Sequence, residues 1–221
     1  MLTIAVLNPK GGSGKTTAAT CLARALEKGG DRVLLVDADP QGSARDWHAV
    51  EEANPTPCVA MDRPGGLRSL RDMGGYDWAI IDGAGRYERI IADAIKLADL
   101  VLIPVQPSPY DIWAINELVE LVQQRQTIAN GQPIMGAIIT RAVPNTVLDR
   151  EVLEALKEMQ LEVMDTRIHQ RQIYPRSANT GQTPLETEPS GKAAQEIRAA
   201  AKEIREIFNP SDYESTPDMT T

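Results

Sequence analysis

The chain has 221 residues, 42% of them hydrophobic and 4% aromatic, with a formal charge of −8 and an isoelectric point near 4.9. That length suits one domain with a three-layer core of Ala, Ile, Leu and Val, and the acidity argues against a protein that coats nucleic acid with its whole surface, though not against a local basic patch. No apolar run approaches the roughly 20 residues that cross a bilayer, and residues 1–7 read as a strand rather than a leader, so a cytoplasmic protein without membrane contact is expected.

LTIAVL (2–7) is the first expected strand, and a helix starts near Thr16 and closes at the glycines 29 and 30. Cys21 falls on the apolar side of that helix, where it packs; neither it nor Cys58 has ligand spacing. Between strand and helix lies KGGSGKTT (10–17), which nearly fills the pattern G-x-x-x-x-G-K-[ST] except that Pro9 stands where the first glycine belongs. Gly11, Gly12 and Gly14 let successive backbone N–H groups curl round a phosphate. Lys15 reaches the β/γ-phosphates, and the Thr16 hydroxyl offers a ligand to Mg²⁺. Lys10 adds a second positive charge at the mouth of the loop. The reading is nucleoside triphosphate binding.

RVLLVD (32–37) is the second strand, followed by a helix through SARDWHAVEEA and a weaker strand, PCVAM (57–61). A short helix near 66–73 leads to the strand DWAIID (77–82) and the helix RIIADAIKLA. LVLIPV (100–105), a helix from about Asp111 to Ile128, and PIMGAIIT (133–140) come next. A helix over 147–160, a brief strand LEVMD (161–165), and helices near 168–176 and 190–208 complete the pattern. Apolar strands alternating with amphipathic helices predict an α/β fold of three layers, a mainly parallel sheet flanked by helices on both faces. Residues 209–221 carry three acids, two prolines and almost no apolar side chain, which predicts a flexible acidic tail behind a domain of 1–208.

In such sheets ligands bind at the carboxyl ends of the strands. Asp37, Asp39, Asp82, the proline-rich loop 104–109 and Arg141 all follow strands there, as residues 10–16 do. Asp37 and Asp39, two apart in an extended segment, share a face. One of them also qualifies as a cap for the helix starting near Ser43, and beside a phosphate loop at least one is expected in catalysis or metal binding. Asp82 is placed to hold Mg²⁺ through water, and Gly83 and Gly85 let the backbone approach the γ-phosphate. Phosphoryl transfer needs Mg²⁺, positive charge over the moving group and an oriented water. Thr16 with Asp82, Lys15 with Lys10, and Asp39 supply these in turn.

Four blocks in this order resemble the deviant Walker A (MinD/ParA) class of P-loop NTPases, and in particular the short ParA-type partition ATPases: KGGSGKTT (10–17), VDADPQGS (36–43), AIIDGAG (79–85), and PVQPSPYD with ITR (104–111 and 139–141). The resemblance implies an ATPase that uses ATP and Mg²⁺, hydrolyses slowly unless a partner stimulates it, and closes into an ATP-dependent homodimer. It implies that Lys10 crosses to the other subunit's phosphates and that Lys15 acts in cis. It further implies that Gly11 through Thr17 line the nucleotide, that Asp39 positions the hydrolytic water, and that Asp37 supports the magnesium shell of Thr16 and Asp82. Pro107 and Asp111 would contact nucleotide and partner subunit, with Arg141 near the base. The absence of an N-K-x-D run after any strand favours adenine over guanine.

The family also implies non-specific binding of nucleoid DNA by the dimer through basic residues of the carboxyl-terminal third. Here 166–182 holds Arg167, Arg171 and Arg176 without an acid, and Lys192 stands where relatives often have a DNA-contacting cation. No helix-turn-helix segment precedes residue 1, so promoter binding is not expected. The last helix leads into acids rather than a basic amphipathic end, which argues against a MinD-like membrane anchor. No cysteine pair lies near Asp82, which argues against an iron–sulfur cluster. The expected activity is segregation or positioning of plasmid or chromosomal DNA with a small basic centromere-binding partner. The alternatives are a positioning ATPase for a protein body such as a carboxysome or a chemoreceptor cluster, with a cargo adaptor, and a metabolic P-loop enzyme.

Overall fold

The computed structural model describes residues 1–52, 54–144 and 147–209, without the side chains of 147, 149 and 150. Apart from Asn209, the expected acidic tail lies outside the described residues. Seven strands build one sheet: β1 (Leu2–Val6), β2 (Val33–Asp37), β3 (Cys58–Ala60), β4 (Trp78–Asp82), β5 (Leu100–Val105), β6 (Ile134–Ala142) and β7 (Glu162–His169). Their order is β3-β2-β4-β1-β5-β6-β7, and every neighbouring pair is parallel. The expected three-layer α/β fold is the one observed. Strands β1, β2, β4 and β5 are almost wholly apolar because both of their faces are covered.

One face carries α1 (Lys15–Lys28), α2 (Ser43–Val50), α6 (Ile173–Ala178), α7 (Pro184–Thr187) and α8 (Lys192–Phe208); their apolar sides meet Ile4, Val6, Leu35, Ile80 and Leu102. The other carries a 3₁₀ helix (Gly66–Asp72), α3 (Glu88–Leu97), α4 (Pro109–Ile128) and α5 (Val147–Glu158) over Ala5, Leu34, Ile81, Val101 and Ile103. Cys21 is buried as expected, and burial pushes its thiol up to about 12, which makes it an inert packing group. The isoleucines of α8, Ile197 and Ile204, are also buried against the sheet. No helix among the described residues is long and apolar enough to cross a membrane.

The carboxyl-terminal third departs from the expected boundaries. TRIH continues β7 to His169 instead of opening a helix near 168, because it pairs with the long β6: Ile139 opposite Arg167, Thr140 opposite Ile168 and Ala142 opposite His169. The helix is consequently only Ile173–Ala178. The short α7 was not anticipated, although Thr183 and Glu186 close a reciprocal capping box at its start, a pattern readable as T-x-x-E.

Candidate functional site

Parallel pairing fixes which groups share the rim. Asp37 and Asp82 are register partners on adjacent strands, and Val6, which leads into the phosphate loop, pairs with Asp82 on the other side. The loop itself leaves β1 and enters α1 at Lys15. Gly12 and Gly14 adopt left-handed conformations (φ 77° and 93°), which glycine accepts without steric cost. Thr140 of β6 braces this turn from the side, its hydroxyl donating to the Ser13 carbonyl at 2.8 Å.

Lys15 is buried, and its ammonium donates to the Lys10 carbonyl at 3.2 Å. Burial lowers its pKa, while Asp82 and Asp39 pull it back toward the charged form. The Thr16 hydroxyl donates to Asp82 Oδ2 at 2.7 Å, and the other oxygen of this buried carboxylate, Oδ1, has no partner. Burial pushes Asp82 up to about 7; Asp37 and Asp39 act in the same direction, and Thr16 and Lys15 oppose them. A carboxylate with one orphaned oxygen beside a threonine hydroxyl fits a bound Mg²⁺, whose charge would hold the acid ionised. Among the described residues no group of three or more His, Cys, Asp or Glu is assembled as a metal cage. That also fits Mg²⁺, which takes few protein ligands and completes its shell with phosphate and water.

Asp37 is fully buried and heavily engaged. Its Oδ1 accepts from the Asp39 backbone at 3.1 Å, and its Oδ2 from the Arg45 backbone and guanidinium at 2.9 and 3.3 Å. That is the helix-capping arrangement, at the start of α2, with Asp62 holding the far side of Arg45 at 2.9 Å. Asp39 is half-buried, and its Oδ1 accepts only the Gln41 N–H, so it is the freer of the two acids.

On the far side of the loop, Lys10 forms an ion pair with Asp111 of α4, whose second oxygen is buried and unpartnered. The Lys10 side chain is 36% exposed and that of Asp111 1%. Asn8 sets this geometry: its Oδ1 accepts the Lys10 N–H at 2.8 Å and its amide donates to the Pro104 carbonyl at 2.7 Å. Gln106 donates to the Gly12 carbonyl at 2.5 Å. The other side of the loop opens on a 370 Å³ cavity lined by Gly14, Thr17, Thr140, Arg141, His169 and Tyr174, among others. A phosphate cradle flowing into a cavity of that size provides for a nucleotide with its base.

A model of the CobQ/CobB/MinD/ParA nucleotide binding domain matches residues 4–185. The chain belongs to this family. It is therefore a nucleotide-binding protein of the P-loop class whose MinD/ParA members are ATPases. It is 34% identical over 206 residues to the maintenance of carboxysome distribution protein A of Gloeobacter kilaueensis, covering 92% of each chain. With the protein of the same name from Halothiobacillus neapolitanus it is 29% identical over 212 residues, 94% of each. The chromosome-partitioning ATPase Soj of Thermus thermophilus is 27% identical over 235 aligned positions, which cover 91% of this chain and 94% of that one. Among solved structures, a MinD from Pyrococcus horikoshii complexed with Mg-ADP superposes with a TM-score of 0.75 at 20% identity, over 95% of this chain and 98% of that one. An ATP complex of a Cyanothece McdA variant gives 0.73 at 20% identity, over 93% and 96%.

Within this MinD/ParA frame the structure sorts the expected site residues into three places. Gly11 through Thr17, Asp37, Asp39 and Asp82 gather at the phosphate loop. Lys10, Pro107 and Asp111 stand on its α4 side. Arg141 stands on the opposite side, in the cavity, where its backbone is left-handed (φ 49°), an uncommon state for a residue other than glycine. Pro107 does not line that cavity; its wall comes from 168–178 instead.

Arg171, expected at a DNA face, is engaged within the fold. It lines the same cavity as Arg141, and its guanidinium pairs with Glu196 of α8 at 2.5 Å. The segment 166–182 contains no acid of its own, but α8 supplies two. Glu196 also holds His169 at 2.9 Å and Tyr174 at 3.3 Å, and Glu203 accepts the backbone of Asp165 and Thr166. Arg167 is a strand residue of β7, and Arg176 and Lys192 are exposed. Asn8, His169, Tyr174 and Glu196 escaped the sequence reading. Only Asn8, inside LNPKGG, carried a local signal, since a short amide before a tight loop often bonds the backbone two residues on.

Proposed function

We propose that the chain is an ATP-driven positioning ATPase that distributes a protein body, a carboxysome or a comparable assembly, over nucleoid DNA. The observation that carries this reading is the likeness, over more than nine-tenths of both chains, to carboxysome distribution proteins of two organisms. The sequence expectation of a DNA cargo accordingly becomes the second reading, supported by the likeness to Soj. Its alignment is longer than this chain itself, so it contains insertions; those with the carboxysome proteins, at 206 and 212 positions, stay within the chain's length.

In this proposal the loop N–H groups and Lys15 hold the phosphates of ATP, while Thr16 and Asp82 hold Mg²⁺, which neutralises phosphate charge when bound. Asp37 keeps α2 and the Asp39 turn in place, so that Asp39 is free to orient a water. Arg141 and the 168–178 wall receive the adenine end. Lys10 leaves Asp111 to reach the phosphates of a second copy, which makes closure of the homodimer depend on ATP. The closed dimer binds DNA without sequence preference, and a small basic adaptor on the cargo stimulates an otherwise slow hydrolysis.

Deletion of the gene in the organism that carries it, followed by imaging, tests the cargo. Clustered protein bodies with normal inheritance of plasmids and chromosome are expected. Plasmid loss or anucleate cells with an undisturbed protein body would replace this reading by the Soj-like one.

A further inference from the structure

Five positive side chains gather in one place away from the carboxyl-terminal surface. That place is the opposite side of the sheet, where the 3₁₀ helix, α3 and α4 converge. Two adjoining grooves there, of 370 and 320 Å³, share Arg68, Asp93 and Lys96; Arg71 and Arg125 line the first and Arg89 the second. Five cations thus face one acid in a protein whose net charge is −8. Asp93 is the lining acid, and its carboxylate is occupied in accepting the Gly65 N–H at 3.1 Å. Arg71 donates to the Lys96 carbonyl at 3.4 Å. The side chains of Arg68, Arg89, Lys96 and Arg125 have no hydrogen bond or ion pair to any described residue. The neighbouring acids Glu88 and Glu117 line a different groove, beside Pro9 and Gly85.

We infer that this groove is the surface on which the protein holds the phosphate backbone of duplex DNA. The inference deepens the proposed function and rests on its DNA-binding step. Unpaired like charges repel each other, and their clustering in an acidic protein is explained by a polyanion that relieves the repulsion. Four of the five cations are arginines, whose forked donors suit phosphate oxygens. Arg89 and Lys96 lie seven residues apart on α3, about 10 Å along the helix at 1.5 Å per residue. With a rise of about 3.4 Å per nucleotide in one strand, that length faces roughly three successive phosphates. No aromatic side chain lines either groove, so stacking on unpaired bases is not provided for, and a duplex fits better than a single strand. The groove is also joined to the phosphate loop through α3, which begins at Glu88, with two residues between it and the Asp82-Gly83-Ala84-Gly85 turn. A shift of that turn with nucleotide state would move Arg89 and Lys96 relative to Arg68 of the 3₁₀ helix.

The test is ATP-dependent binding of a random-sequence duplex across a salt series. It compares the full-length protein with Arg68→Ala/Lys96→Ala, with Arg89→Ala/Arg125→Ala, and with Arg176→Ala/Lys192→Ala on the other side. The expected result is that each groove pair lowers the slope of log K against log[salt] by about 1 to 2, close to 0.9 per lost phosphate contact, while ATP-dependent dimerisation is unchanged. The Arg176/Lys192 variant should bind like the wild type. Wild-type binding that survives both groove pairs overturns the inference but leaves the proposed function standing. Absence of ATP-dependent duplex binding in the wild type overturns the DNA step of the proposed function and this face with it. Groove-dependent binding of poly-glutamate in place of DNA would assign the surface to an acidic protein partner and equally overturn the inference.

Discussion

Replacement of Lys10 by alanine should destabilise the nucleotide-free protein, even though Lys10 is more than a third exposed and its proposed role lies in another subunit. Among the described residues Lys10 is the sole side-chain partner of the Asp111 carboxylate, which is 1% exposed and whose other oxygen has none. Removing the ammonium leaves a buried carboxylate with no donor. Breaking a fully buried pair costs about 3–5 kcal/mol. Water reaches this one along the exposed lysine, and screening reduces the figure to about 1–2 kcal/mol. For a domain of this size that corresponds to a fall in Tm of roughly 2–8 °C. Calorimetry without nucleotide, at pH 7 and low salt, should show the fall in Lys10→Ala and its recovery in Lys10→Ala/Asp111→Asn, where no charge remains to be buried. Asp111→Asn alone frees Lys10; as a homodimer closes with two such lysines, about 1–2 kcal/mol in each subunit should tighten ATP-dependent dimerisation roughly 30- to 700-fold. If Lys10→Ala melts within 1 °C of the wild type and Asp111→Asn dimerises no better, the ion pair is a surface contact and does not hold Lys10 back.

Gly83→Ala should lower stability by about 1–3 kcal/mol or abolish soluble expression, because an added Cβ would stand 2.1 Å from the Leu7 side chain and 2.9 Å from the Val6 carbonyl, and strand backbone does not give way; a denaturant melt of the variant decides this. Asp82 titrates in the metal-free fold at about 7, above its ordinary 3.8, so the native state binds the extra proton between these values and stability should fall as pH rises across that window. In Asp82→Asn that part of the pH dependence of Tm should disappear, and a parallel pH profile in both proteins would contradict the burial argument. Glu196→Gln should weaken nucleotide binding several-fold by loosening Arg171, His169 and Tyr174 on the cavity wall while leaving the phosphate loop intact; equal ATP affinity in titrations of both proteins would show that this wall does not touch the base.

The phosphate loop and its acids were legible because each group is carried by its own short segment. A strand end, a glycine turn and the first turn of a helix place Gly12, Gly14, Lys15, Thr16 and Asp82 without help from distant residues. The sheet was legible for a similar reason, since continuous apolar runs such as LVLIPV are long enough to declare strands buried on both faces. The carboxyl-terminal third was not. TRIH has no strand pattern of its own and is held extended by β6, while the one acid that partners Arg171 and His169, Glu196, lies 25 and 27 residues away from them on α8. A basic stretch read alone therefore shows its charges but not the carboxylate that pairs with one of them. Arg24 shows the same limit: an arginine amid the apolar residues of α1 is 1% exposed, enclosed by Glu27, Glu51 and Glu186 with its guanidinium 5.5 Å from the Trp47 ring. Local composition reveals the charge but not its partner.

These placements give the phosphate loop two flanks that answer to different events. On one flank Lys10 is held by α4 through Asp111, and α4 also presents Tyr110 and Trp113, stacked edge to face and 71% and 64% exposed, right beside that pair. Large aromatics left in water at such a place are suited to burial against a second copy, where they would contribute apolar area that Lys10 alone cannot. On the other flank the cavity wall is fastened to α8 through Glu196, so a base held there as proposed would act on the carboxyl-terminal elements. In the proposed cycle, nucleotide entry and subunit closure would load separate parts of the fold and meet at the loop. An ATPase that must hold its nucleotide until a partner arrives needs that separation: ATP can settle in one subunit without yet removing Lys10 from Asp111. On that proposal the charge of Asp111 would set the timing of closure rather than determine whether ATP binds.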